Sequence, residues 1–238
     1  MSIEANLAAI RRRIAAACDR AGRDPAEVEI IAVTKGHGPE KVREALDAGL
    51  TLCGESRVQE ARVKIPRCPG HARWHLIGHL QTNKAREAVR LFEMVQSVDS
   101  RKVAEELNRW ADRLSRHLAV LLEVNVAGEA QKFGFSPAEL RTELAAVNDL
   151  PRLEIHGLMT LAPWSPEPER ARPVFRRLRE LKEECEQQLG APLPQLSMGM
   201  SGDFEVAVEE GATWVRLGTA LLGERHGPWK PPAADATG

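Results

Sequence analysis

Val28-Glu29-Ile30-Ile31-Ala32-Val33-Thr34-Lys35-Gly36-His37-Gly38-Pro39 sets an Ile- and Val-rich run against a Gly- and Pro-rich break, with one amine at the junction. A short apolar run bounded by such residues reads as a buried strand rather than a helix. Lys35 therefore ends a strand, where α/β sheets keep their ligands. An amine that is partly desolvated there can lose its proton near neutral pH and attack a carbonyl. A solvent-facing lysine that merely closes a strand is the plainer reading. The rest of the chain has to decide between them.

Working outward, the pattern repeats. Strand-like runs are expected at 29–34, 50–53, 73–77, 94–98, 118–125, 152–158, 195–198 and 213–217. Helical patterns separate them at 40–48, 56–65, 83–92, 101–116, 137–148, 169–189 and 204–210. Asp99-Ser100 and Ser136-Pro137 supply N-caps, and Gly49 and Gly211 supply C-terminal stops. Alternating βα units imply a parallel sheet. Eight of them favour an α/β fold of the closed (β/α)8 TIM-barrel type in a single domain. An open doubly wound sheet is the alternative, weakened because no G-x-G-x-x-G follows the first strand. Ile3, Leu7, Ile10 and Ile14 recur at helical spacing and predict an amphipathic N-terminal helix packed on the body. The barrel with this helix is expected to occupy residues 1–227, and the Pro- and Ala-rich residues 228–238 to form a disordered tail.

The 238 residues carry 33 basic and 34 acidic side chains, a net charge of −1, so no global field calls for nucleic acid or a membrane. Arg176-Arg177-Leu178-Arg179-Glu180 reads as a solvated helix face. Cys18, Cys53, Cys68 and Cys185 are scattered without a C-x-x-C, which points to a reducing compartment and away from structural zinc. No apolar stretch is long enough to span a bilayer, and the charge order at the N-terminus is wrong for a secretory signal. The expectation is a cytoplasmic protein. There is no tyrosine, which removes any mechanism that needs a phenol.

A barrel places functional groups just after its strands, and the unusual residues fall there. Gly54-Glu55-Ser56-Arg57 follows the second strand and Gly78-His79-Leu80-Gln81 the third; Asn125 ends the fifth and Met159-Thr160 the sixth. The last two strands lead into Ser197-Met198-Gly199-Met200-Ser201-Gly202 and Arg216-Leu217-Gly218-Thr219-Ala220. Loops in these two places commonly cradle phosphate, so Ser201, Gly218 and Thr219, with the charge of Arg216, are candidates; turn and cap construction is the other explanation. A reactive lysine and a phosphate cradle on one rim fit pyridoxal 5′-phosphate (PLP). They equally fit a Schiff-base aldolase acting on a sugar phosphate. His71, His75 and His79 stand four apart but lie on a strand and its loop, not on one helical face, so no metal is expected. Cys53 lacks an evident His or Asp partner and reads as a buried thiol. Glu55 and Glu60 could act as acid and base, but glutamates at a helix N-terminus are more often dipole partners.

Six ordered segments resemble the pyridoxal phosphate homeostasis protein family: Ala32–Lys35, Gly54–Glu60, Trp74–Lys84, Gly157–Met159, Leu196–Ser201 and Val215–Ala220. The likeness runs from about Glu29 to Gly223. It implies an alanine-racemase-like barrel that holds PLP covalently, with Lys35 as the internal-aldimine lysine. Met200, Ser201, Gly218 and Thr219 would bind the phosphate, and Ser56, Asn125 and Met159 would line the site. Arg216 would lie beside the cofactor, against either the pyridine nitrogen or the phosphate; facing the nitrogen, it would weaken PLP as an electron sink. Ser56 stands where the family usually has Asn, and Gly202 where Asp is frequent. Lys132 matches a family lysine on the rim. The implied role is PLP buffering or delivery in vitamin B6 homeostasis, with effects on amino- and keto-acid balance and transient encounters with PLP-dependent apo-enzymes. A PLP-dependent amino-acid racemase is the alternative. Racemases of this fold oppose a lysine with a tyrosine from a second domain, and the sequence offers neither that tyrosine nor residues for such a domain. The expectation is therefore a monomer without robust turnover.

Overall fold

The strand and helix periods resolve into eight βα units in the computed structural model, which describes residues 2–224 and Trp229. In chain order they are α1 (Ile3–Ala21), β1 (Glu29–Val33), α2 (Pro39–Asp47), β2 (Leu52–Glu55), α3 (Val58–Lys64), β3 (Arg73–Leu76), α4 (Ala85–Leu91), β4 (Met94–Val98), α5 (Arg101–Arg113), β5 (Leu118–Glu123), α6 (Pro137–Asn148), β6 (Leu153–Met159), α7 (Arg172–Leu189), β7 (Gln195–Ser197), α8 (Phe204–Glu209), β8 (Trp214–Leu217) and α9 (Thr219–Leu222). The strands form a closed barrel in sequential order. Each pairs in parallel with its neighbour, and β8 returns to β1 with Ile31 opposite Arg216. The expected (β/α)8 architecture is thus present. The expected tail falls, Trp229 apart, outside the described residues.

Alternation along the strands divides the apolar residues into two cores. Ile31, Leu52, Met94, Leu121, Met159 and Trp214 fill the barrel interior as one cluster. Their strand neighbours, including Ile30, Ala32, Cys53, Val95, Leu122, Leu158 and Val215, point outward into the larger cluster under the helices. The same outer core takes Ile3, Leu7, Ile10 and Ile14, so α1 is packed as its spacing predicts. Helix starts follow the caps: Ser100 accepts from the Val103 amide, and Ser136 forms a capping box with Glu139. Each cap is worth about 1 kcal/mol.

Most boundaries shift by one to three residues, β5 for example ending at Glu123 and not at Asn125, and two of the shifts have a clear physical cause. β2 starts and ends two residues later than the predicted 50–53, so Gly54 and Glu55 belong to the strand and not to a loop. Glu55 is consequently no helix-terminal dipole partner; its outward, buried carboxylate accepts from the Lys64 ammonium, which offsets the low strand propensity of Gly-Glu. The segment before α7 begins as a 3-10 turn, Pro168–Ala171, because Pro173 has no amide to donate to the Glu169 carbonyl.

Candidate functional site

Lys35 is the first residue to turn away at the mouth, two positions beyond the last residue of β1 and on the face shared by Ile31 and Val33. It is half-buried. Across the β1–β8 seam Arg216 stands opposite Ile31, on the inward face, and is only 3% exposed. Its guanidinium donates to Ser197 Oγ at 2.7 Å and to the Thr160 carbonyl, just past the C-terminal end of β6, at 2.7 Å. Burial lowers its pKa to about 10, against the pull of Glu123 and Asp203, so it remains a cation at neutral pH.

Arg216 heads a directed chain through the barrel. Ser197 Oγ donates to Gln96 Oε1 at 2.7 Å, and Gln96 Nε2 lies 2.8 Å from His75 Nδ1. Arginine can only donate, so the direction of every following bond is set from that end. His75 then accepts at Nδ1 and carries its proton on Nε2, which is buried beside the Trp214 ring with no hydrogen-bond partner. Burial pushes the His75 pKa down to about 4, and the ring is neutral at physiological pH. Sequence reading missed Gln96 and Ser197 as site-builders. The available signal was a polar residue at an inward position of each of two largely buried strands.

The two glycine-bearing loops meet at this end of the barrel. Ser201 Oγ accepts from the Ala220 amide at 3.3 Å, tying the loop after β7 to the first turn of α9. Gly199 makes the first bend with φ of +88°, and a Cβ there would lie 2.6 Å from that of Ala207. Gly218 opens α9 in the opposite sense: a Cβ would meet only Val33 at an ordinary 3.6 Å. Protein packing alone does not demand glycine at 218. Met200 sits between them, its amide donating to Asp203 Oδ1 at 2.6 Å. This arrangement, a fixed cation beside hydroxyl- and glycine-lined loops with an amine on the rim, fits a ligand that carries a phosphate and a carbonyl.

The remaining expected residues take up different roles. Ser56 follows β2 and packs against Gly78. Met159 is buried in the interior cluster beneath the mouth. Asn125 folds back on its own loop: Nδ2 donates to the Glu129 carbonyl at 2.9 Å, and Oδ1 accepts from the Glu129 amide at 3.2 Å. It shapes the wall formed by residues 126–134. Lys132 in that wall pairs with Glu129 and reaches the Leu161 carbonyl at 3.4 Å. Phe133 beside it stacks on His79 at 3.5 Å, and His79 Nδ1 is 2.7 Å from Asp99. Cys53 is a buried free thiol pushed up to about 12 by burial, unsuited to nucleophilic attack. Glu123, buried at the end of β5, was not anticipated; burial and Asp99 raise its pKa to about 7. Among the described residues no cluster of His, Cys, Asp and Glu has the geometry of a metal site, and no helix is long and apolar enough to cross a membrane.

The family model for the alanine racemase N-terminal domain matches residues 5–226. A pyridoxal phosphate homeostasis protein from Aquifex aeolicus is 42% identical over 220 residues, covering 92% of this chain and 96% of the relative. One from Pseudomonas aeruginosa is 43% identical over 227 residues, covering 94% and 96%. The chain belongs to the pyridoxal phosphate homeostasis protein family. A solved member of this structural group, PipY from Synechococcus elongatus, is 40% identical and superposes with a TM-score of 0.84 over 93% of this chain and 100% of its own. A second structure of PipY has PLP bound and gives a TM-score of 0.82. Alanine racemase from Clostridium difficile shares the fold at 14% identity and a TM-score of 0.71, and the chain covers 56% of it.

Proposed function

We propose that this member of the homeostasis protein family binds PLP and serves in intracellular vitamin B6 balance by holding and releasing the cofactor. The observation that carries the reading is the convergence of Lys35, the buried Arg216 and the tied loops at Ser201 and Gly218 on one barrel mouth. When bound, PLP supplies an aldehyde, open to condensation with an amine, on a ring that also bears a phosphate and a pyridine nitrogen. In this reading Lys35 provides the amine and so the Schiff-base attachment. Ser201 and Met200 hold the phosphate from one loop, Gly218 and Thr219 from the other. Arg216, locked by Ser197 and Thr160, faces the ring nitrogen; as a donor that keeps its proton at neutral pH, it leaves that nitrogen without one. Ser56, Asn125 and Met159 form the walls and floor.

A guanidinium in that place and the absence of tyrosine both favour custody of the cofactor over rapid proton exchange on an amino acid. We accordingly read the protein as a cytoplasmic monomer that has no robust turnover, meets PLP-dependent apo-enzymes transiently, and uses no nucleic acid or membrane partner. The test is spectroscopic. Protein incubated with PLP is expected to turn yellow, and borohydride to bleach the colour and leave the cofactor on the peptide containing Lys35. A protein that stays colourless with added PLP, or a Lys35→Ala variant that is still labelled covalently at the same site, overturns the assignment. Rapid racemisation of single L-amino acids would replace the custody role with a catalytic one.

A further inference from the structure

Alternation on β1 turns Lys35 toward the mouth and Thr34 outward, against α3. There a second polar cluster sits outside the barrel wall. Lys64, in the last turn of α3, is fully buried. Its ammonium donates to the Thr34 carbonyl at 2.8 Å, to Glu55 Oε1 at 2.7 Å and to Glu60 Oε1 at 2.7 Å, which uses all three of its hydrogens. Thr34 Oγ1 donates to the same Glu55 oxygen at 2.6 Å. The Gly36 amide donates to the same Glu60 oxygen at 2.7 Å. The residues on both sides of Lys35 are therefore fixed to one ammonium, Thr34 directly and Gly36 through Glu60.

Stability alone is a weak reason for this cluster, because a buried ion pair recovers little more than its desolvation cost and apolar residues of similar volume do as well. What apolar residues cannot do is hold a carbonyl and an amide two residues apart in fixed directions. We propose that Lys64 is a positioning residue: with Glu55 and Glu60 it clamps the backbone of residues 34–36 and so sets the direction in which the Lys35 amine enters the mouth. The proposal rests on the reading of Lys35 as the reactive amine and adds to it the device that aims it.

The experiment reads Lys35 directly. Reductive methylation with formaldehyde and cyanoborohydride, followed by peptide mass spectrometry, gives the rate at Lys35 relative to the exposed Lys102 across pH. Borohydride capture of PLP is measured on the same proteins, with inorganic phosphate as competitor. Lys64→Met leaves the buried Glu55 and the partly buried Glu60 without their cation and is expected to weaken the fold, so the decision rests on a pair of variants at Glu60. Glu60→Gln keeps an oxygen for the Gly36 amide and is expected to stay within about twofold of the parent, whereas Glu60→Ala is expected to slow PLP capture at Lys35 about tenfold. Glu60→Ala should also shift the pH profile of methylation at Lys35 and not at Lys102, with phosphate competition unchanged. Parent-like capture and an unchanged Lys35 profile in Glu60→Ala overturn the proposal, as does equal impairment of the Gln and Ala variants. Failure of the PLP reading looks different: the parent protein itself captures no PLP, while the methylation profiles still show whether Lys35 is aimed by the clamp.

Discussion

Two buried polar networks grip the mouth, one inside the barrel and one outside it, and they solve the charge problem in opposite ways. The inner chain runs from Arg216 through the neutral Ser197 and Gln96 to a neutral His75. The outer cluster surrounds Lys64 with two carboxylates. Neutral relays orient a cation without neutralising it, so Arg216 keeps its charge. Carboxylates neutralise Lys64 in place, and what remains is geometry. The carboxyl groups that do approach Arg216, Glu123 and Asp203, are both pushed up by burial, toward the uncharged form. The inner network thus keeps a net positive charge, while the outer cluster serves the backbone.

The largest expected break in this comparison comes from removing the outer cation. Lys64→Met strands Glu55 and Glu60 and is expected to cost about 3–5 kcal/mol in urea unfolding. Burial already pushes the Glu55 carboxyl up against the pull of Lys64, so the stranded group should pick up a proton, and the loss should shrink as pH falls. A loss below about 1 kcal/mol would mean that solvent reaches the cluster and that it is no buried clamp.

The inner network is tested through its neutral end. Burial holds His75 at about 4 instead of 6.5. A group whose folded pKa is depressed stabilises the fold above its unfolded pKa and loses that contribution as pH falls. The window here runs from about 6.5 down through 4, and the shift corresponds to about 3 kcal/mol. His75→Asn places an amide oxygen near Nδ1 and cannot take up the proton. It should keep the bond from Gln96 and flatten the acid limb of a stability–pH curve. Parallel curves for the parent and the variant between pH 6.5 and 4 would place the acid sensitivity elsewhere.

The two networks also differ in how far the sequence reveals them. Lys35, Ser201 and Gly218 are legible because punctuation marks them: each stands where an apolar run breaks into Gly or Pro. The barrel follows from repeated periods, and the caps at Ser100 and Ser136 from their residue types. Lys64 is hidden because Glu60-Ala61-Arg62-Val63-Lys64 looks like a solvated helix with an i,i+4 pair. Only the pairing of Lys64 with a strand-borne Glu55 makes it internal, and that is a tertiary fact. The same pairing explains why β2 extends through a Gly-Glu that reads as loop. Gln96 and His75 were accessible in principle, since alternate residues of a closed barrel face inward; their partners across the barrel, 101 residues apart in the case of Ser197 and Gln96, were not.

Glu123 offers the gentlest test, because it adds a charge to the inner network only when pH rises. Burial and Asp99 hold it at about 7, well above the ordinary 4.5. An acid whose folded pKa is raised stabilises the fold fully below its unfolded value. That contribution is lost as pH climbs through the folded one, here between about 4.5 and 7. Glu123→Gln removes the ionisation and keeps the shape. After discounting for its partial contact with solvent, the variant should exceed the parent by about 2 kcal/mol at pH 8 and match it at pH 4. Urea midpoints at the two pH values measure this. A gain at pH 8 would show that the ionised Glu123 costs more in burial than it recovers from Arg216, as expected if the guanidinium is committed to Ser197 and Thr160. A loss there would mean that Glu123 and Arg216 form a working ion pair, and the distinction between a neutral inner chain and a charged outer clamp would fail.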